Sequence, residues 1–334
     1  MDNPVLIEVS RGNGVESRHR GAIAVVDGSG KVIFGRGDVD QAIFPRSAIK
    51  PLQALSLIET GAADHFNITT EELALACASH SGEPAQVEKV EHWLGRMGLG
   101  PDDLECGAHP ARHAHQVANM VRAGQIPGRS HNNCSGKHSG FLCTALHMGE
   151  PTKGYSRPDH PVQQRLKAVV ADLGDCDLSA TPHGIDGCGI PVLALPLVGM
   201  ARALARMANP ASLPELRAAA SRRIIAAMTT HPELVGGQGC FDTRMMAAGK
   251  GAFAVKTGAE GVYAGILPGP GLGIAVKIDD GASRAAETAM AALLEHFGEL
   301  GDGVRGSVAD LLEPVISNAA GDPVGAVRSV IDWS

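Results

Sequence analysis

The feature that most constrains this chain is a change of apolar period along its length. Strand-like alternation marks both ends, and a long stretch of helical period lies between them. Residues 5–9 and 22–26 are short runs rich in β-branched side chains, Asp27-Gly28-Ser29-Gly30 is turn chemistry, and Val32-Ile33-Phe34 resumes the strand pattern. Together they predict a hairpin. From Ser47 to about Gly249 the period becomes helical. Leu52, Leu55 and Ile58 share a face, and Thr69-Thr70-Glu71-Glu72 has the form of a capping box ahead of residues 73–78. Further helical periods run over residues 85–97, 117–123, 141–148, 162–173, 193–207 and 216–228. Strand patterns return at 252–255, 262–267 and 273–278, and an amphipathic helix follows over 283–297. This order predicts an α+β fold: an antiparallel sheet built from both chain ends, with a large helical insert. We read residues 1–334 as a single unit, with a sheet region at roughly 1–45 and 250–300 and a mainly helical region at 46–249.

Composition narrows the function classes. A chain of 334 residues that is 44% hydrophobic has the material for a packed core. Its formal net charge of −7, without basic blocks, argues against nucleic acid as a partner. The N-terminus lacks a secretory pattern, and the longest apolar stretch, residues 190–205, is broken by Pro191, Pro196 and Arg202, so no membrane partner is expected. Seven cysteines, an odd number without an export signal, predict reduced thiols and a cytoplasmic setting. Gly28-Ser29-Gly30-Lys31 is not a phosphate loop, because a strand rather than a helix follows it.

Three short motifs carry hydrolytic chemistry in combination. In Phe44-Pro45-Arg46-Ser47-Ala48-Ile49-Lys50-Pro51, Ser47 and Lys50 fall one turn apart if a helix starts there. A serine hydroxyl needs a base, and a lysine serves as one only when burial or nearby positive charge lowers its pKa. Cys77-Ala78-Ser79-His80-Ser81-Gly82-Glu83 supplies a second hydroxyl, Ser79, after an apolar helix. Val255-Lys256-Thr257-Gly258 ends a short strand and would turn the Lys256 ammonium toward a cleft. Each alone is commonplace: an N-cap serine, a helix end, a solvated lysine. In this order they repeat the serine β-lactamase and penicillin-binding arrangement.

A fourth constellation joins His131-Asn132-Asn133-Cys134-Ser135-Gly136-Lys137-His138 to Asp186-Gly187-Cys188-Gly189. Cysteines in polar, glycine-rich segments are candidate metal ligands or nucleophiles, whereas Cys77 and Cys143 sit in apolar helical runs. Lys137 and His138 follow Cys134 by three and four residues. Ligand chemistry alone favours His138, since a lysine must lose its proton to coordinate.

With these residues assembled, the sequence resembles the Rhizobium etli type L-asparaginases from Pro4 to about Phe297. The resemblance rests on the Ser47 motif, Ser79-His80-Ser81-Gly82-Glu83, Asn133-Cys134-Ser135-Gly136-Lys137-His138, Asp186-Gly187-Cys188-Gly189 and Lys256-Thr257-Gly258. It implies a serine β-lactamase-like fold shared with glutaminases, L-asparagine as substrate, and a homodimer. It also implies two Ser-Lys tandems, Ser47 with Lys50 and Ser79 with Lys256. A Zn2+ held by Cys134, Lys137 and Cys188 is implied too, against the ligand-chemistry preference for His138. Arg46, His138 and Asp186 become candidate substrate contacts, and Lys250 is the alternative to Lys256. The rival readings are a glutaminase or other β-lactamase-like serine amidase, and a non-catalytic zinc-dependent amino-acid sensor.

Overall fold

The structure, a computed structural model, describes residues 3–334, and of His115 and Asp302 the backbone alone. Its strands are β1 (Val5–Arg11), β2 (Gly14–Asp27), β3 (Val32–Arg36), β4 (Ala42–Ile43), β5 (His183–Ile185), β6 (Pro191–Leu193), β7 (Leu195–Pro196), β8 (Ala254–Thr257), β9 (Val262–Leu267), β10 (Leu272–Ile278), β11 (Val315–Ser317) and β12 (Pro323–Ser329). The main sheet runs β11-β12-β1-β2-β10-β9-β8 with β3 also on β2, while β4–β7 and β5–β6 form separate two-stranded ladders. Every pair in the main sheet is antiparallel. The sheet built from both chain ends is therefore present, and the long insert between β3 and β8 is mainly helical.

The central strands are almost wholly apolar because helices cover both faces. All of β9 is buried, as is all of β10 except Lys277. One face carries the helix Leu197–Ala208, which packs on β2, β9 and β10; the other carries Ser283–His296. Two glycines show how close this packing is. A Cβ on Gly273 would stand 2.2 Å from both Ala201 O and Ala205 N, whereas one on Gly265 would meet Met290 Sδ at 3.3 Å on the opposite face. Alternation is lost where neither face meets water.

One part of the sheet escaped the sequence reading. β11 and β12 add to β1, although the pattern placed no strand beyond residue 300. Their burial explains this: β11 is half exposed to exposed and only Val327 of β12 is buried, so the apolar alternation is weak. The tail after β12 returns to β3, where Trp333 stacks on His296 at 3.9 Å and packs against Phe34.

Candidate active site

The Ser47 segment forms the expected turn, in a tighter geometry. Arg46–Ile49 is a 3-10 turn that passes into the α-turn Lys50–Gln53, with Pro51 at its start. Arg46 has φ +51°, a left-handed conformation costly for a side chain with a Cβ, and such strain collects at functional sites. The end of β8 is pressed against this turn. A Cβ on Gly258 would lie 2.9 Å from Pro45 O and 3.2 Å from Ala48 Cβ, so the Lys-Thr-Gly motif needs its glycine for the approach. Between them opens a cleft of about 340 Å³ whose walls include Ser47, Ser79, Asn133, Asp242, Thr257 and Glu287.

Ser79 reaches the cleft because its irregular segment leaves the capped helix Thr70–Ala76 and is pinned on both sides. Thr69 and Glu72 complete the expected capping box, Ser79 N donates to Val235 O at 2.9 Å, and His80 N donates to Asn133 O at 3.2 Å. The His80 ring bridges Ser135 Oγ at 2.8 Å and Gly82 N at 3.1 Å, and burial holds it neutral with a pKa of about 3. His80 is a strut for the loop.

Lys50 is fully buried. Its Nζ donates to Ala78 O and, at 3.0 Å, to Ser79 Oγ. Burial pulls its pKa down; the neighbouring Lys137 adds to the fall, and the thiols Cys134 and Cys188 oppose it. The structure thus brings Lys50 to the second serine, one turn from the first.

Lys256 is equally buried but differently paired. Its Nζ lies 3.5 Å from Asp242 Oδ2 and donates to Thr257 O at 3.0 Å. Burial brings its pKa down to about 8, against the pull of the Asp242 carboxylate. Ser79 therefore finds its lysine in Lys50, and Lys256 finds a carboxylate that sequence reasoning missed. Asp242 also accepts from Thr257 N at 3.1 Å and from the Tyr263 hydroxyl. Glu287, on the same cleft, is pushed up to about 7 by burial and by Asp242. Lys250 sits at the exposed end of the helix Phe241–Gly249 with φ +47°.

The thiol constellation assembles beneath this cleft. Cys134 precedes the helix Ser135–Met148, which packs closely on the end of Thr70–Ala76: a Cβ on Gly136 would stand 2.3 Å from Leu75 O. Cys134, Lys137 and Cys188 are all buried, every one of the seven cysteines is free, and Lys137 Nζ donates to Cys188 Sγ at 3.2 Å. The hydrogen bond from Cys188 holds Cys134 well below the ordinary thiol range and raises Cys188 in turn. Burial opposes a charge on Lys137, but the two sulfurs outweigh it and raise its pKa. Among the described residues no three His, Cys, Asp or Glu side chains converge, so lysine would have to complete any metal set here.

The donor chemistry fits zinc. A thiolate, a thiol and an ammonium are neutral as a group; Zn2+ in place of two protons leaves two thiolates, an amine and the same net charge. His138 turns elsewhere: its Nδ1 lies 2.8 Å from Tyr155 OH, and burial lowers it to about 3. Its Nε2 is buried without a partner. Arg46 donates to Asp186 Oδ1 at 3.0 Å, and both line a small cavity of about 40 Å³ with Lys137. A larger cavity, about 1460 Å³ along the helix Pro84–Arg96, contains none of these serines, lysines or thiols.

Residues 7–329 match the family model described as L-asparaginase II. No curated protein matches the chain. Among solved structures, the chain is similar to Mglu in its native form in 4.3 M NaCl (16% identity, TM-score 0.46), covering 83% of this chain and 61% of that one. It therefore spans about three fifths of the Mglu chain. A simvastatin synthase from Aspergillus terreus (14% identity, TM-score 0.38) aligns over 83% of this chain and 93% of its own. A D-alanine carboxypeptidase from Burkholderia cenocepacia (12% identity, TM-score 0.37) aligns over 81% and 93%.

Proposed function

The chain belongs to the L-asparaginase II family, and from that premise we propose that it hydrolyses the side-chain amide of L-asparagine to aspartate and ammonia through a serine ester. The observation that carries this reading is Lys50, buried without a carboxylate partner, bonded to Ser79 and one turn from Ser47. A lysine so desolvated sheds its proton more readily than one in water and can act as a base.

Ser47 Oγ attacks the amide carbon while its proton passes to the Lys50 amine. The C–N bond then breaks, and the departing nitrogen takes that proton through Ser79, leaving as ammonia. Water adds to the β-aspartyl ester and gives a proton back by the same route, releasing the carboxylate and restoring Ser47. The backbone N–H of Ser47, in the first turn of a helical segment, is a donor for the developing oxyanion. Cys134, Lys137 and Cys188 would hold a zinc ion, which would supply a Lewis-acid contact that binds and orients substrate.

Arg46 and Asp186 offer opposite charges to the substrate α-carboxylate and α-ammonium, so the zwitterion would replace their mutual ion pair. His138 Nε2 offers a further contact. Seven free thiols fit a reducing, cytoplasmic setting, and no described helix is long and apolar enough to cross a membrane. The test is a coupled ammonia assay on asparagine and glutamine, with and without chelator. Asparagine should be the better substrate; no ammonia from either amide would contradict the reading.

A further inference from the structure

We propose that Asp242 is a positioning residue that keeps Lys256 charged beside the cleft, so that Lys256 acts as a fixed cation and not as a second proton-exchanging base. The inference rests on the proposed serine-ester reaction and revises the second Ser-Lys tandem within it. The geometry is asymmetric. Both ammonium groups are buried, but only Lys256 faces a carboxylate; Lys50 bonds a carbonyl and a hydroxyl and lies beside the Cys134 thiol. A carboxylate beside a buried ammonium favours its charged form and opposes the burial that would strip its proton.

Asp242 is itself over-determined. It is 2% exposed, Oδ1 accepts from the Tyr263 hydroxyl on β9, and Oδ2 accepts from Thr257 N on β8 as well as Lys256 Nζ. It sits in the first turn of the helix Phe241–Gly249, where a negative charge is favoured by the helix N-terminus. One carboxylate thus fixes the end of the Lys-Thr-Gly strand and the charge of its lysine together. The groups that bear on Lys256 are Asp242, which favours its charge, and Lys50 and Arg112, which oppose it. Cys77 is a neutral thiol pushed up to about 12, Tyr263 is held in its protonated form, and burial together with Asp242 pushes Glu287 up to about 7. A charged Lys256, buried behind the cleft walls Asp242 and Thr257, adds a fixed positive field to the site, and that charge is lost only above its pKa of about 8.

Two measurements test this. The first is the pH profile of kcat/KM for the wild type, Asp242→Asn and Tyr263→Phe. Wild-type activity should fall on the alkaline side as Lys256 loses its proton. Asp242→Asn, which keeps the shape and removes the charge, should move that limb down by at least about one pH unit. Tyr263→Phe keeps the carboxylate and should leave the limb near its wild-type place. An Asp242→Asn enzyme slowed uniformly at every pH, with its alkaline limb unmoved, would make Asp242 merely structural and overturn the proposal. The second measurement is made on the wild type itself: NMR titration of ε-labelled lysine, with Lys256→Arg used only to assign the signal. Lys256 should be charged at pH 7, and finding it neutral there would overturn the proposal. The two readings fail separately. A fully active Ser47→Ala sinks the serine ester; an inactive Ser47→Ala with an unmoved limb in Asp242→Asn sinks this inference alone.

Discussion

Two buried lysines and two buried thiols decide what this site can do, and their neighbours set the charge of each. Lys50 is deprived of any carboxylate, Lys256 is given Asp242, and Cys134 is held as thiolate by Cys188 and Lys137. The metal reading makes a divided expectation. Cys134→Ala should lose zinc in metal analysis and raise KM strongly while kcat falls less, as when a ground-state contact is removed. His138→Ala should keep the metal, because its Nδ1 is turned to Tyr155. A His138→Ala protein without zinc beside a Lys137→Ala protein with it would reverse the ligand assignment. The motif serines and lysines were legible because their spacing is local. Asp242 was not: it joins Lys256 across 14 residues of sequence, and nothing in Cys240-Phe241-Asp242-Thr243 distinguishes it from an ordinary first-turn aspartate. The regrouping of Ser79 with Lys50 was equally invisible, since it depends on where Ala78 passes the Lys50 turn.

Helices and strands were read well wherever one face alone is apolar, and the capping box at Thr69 formed as its residues require. Strands covered on both faces gave themselves away by continuous apolar runs between glycine turns, as in β9 and β10. Close approach is the hidden element-level determinant. The helix Leu197–Ala208 lies so near β10 that any side chain at Gly273 strikes its backbone. Gly273→Ala should therefore cost about 3 kcal/mol, the upper part of the usual overpacking range, because neither struck atom can rotate away. Urea unfolding would measure it, and an unchanged midpoint would mean that the helix is not seated this tightly.

At the scale of the whole molecule, the site stands where the chain's two ends meet the insert. Ser47 leaves the N-terminal strands, Ser79 and Cys134 come from the helical region, and Lys256 from the returning strands. The last strands close the far edge, with β12 paired to β1 through Ile7, Glu8 and Val9. A chain ended at Val308 would bare that edge and a ready template for strand addition. It should aggregate at lower temperature than the full chain, as light scattering during heating would show; equal behaviour would mean that β12 adds little. The central claim is that Ser47 carries the acyl group during amide hydrolysis. Its most direct test is acid quenching during asparagine turnover, followed by mass spectrometry of the peptide containing Ser47. The account predicts a β-aspartyl ester on Ser47 in the wild type and, in a folded Ser47→Ala protein, neither ester nor ammonia; ammonia release near the wild-type rate by Ser47→Ala would contradict it.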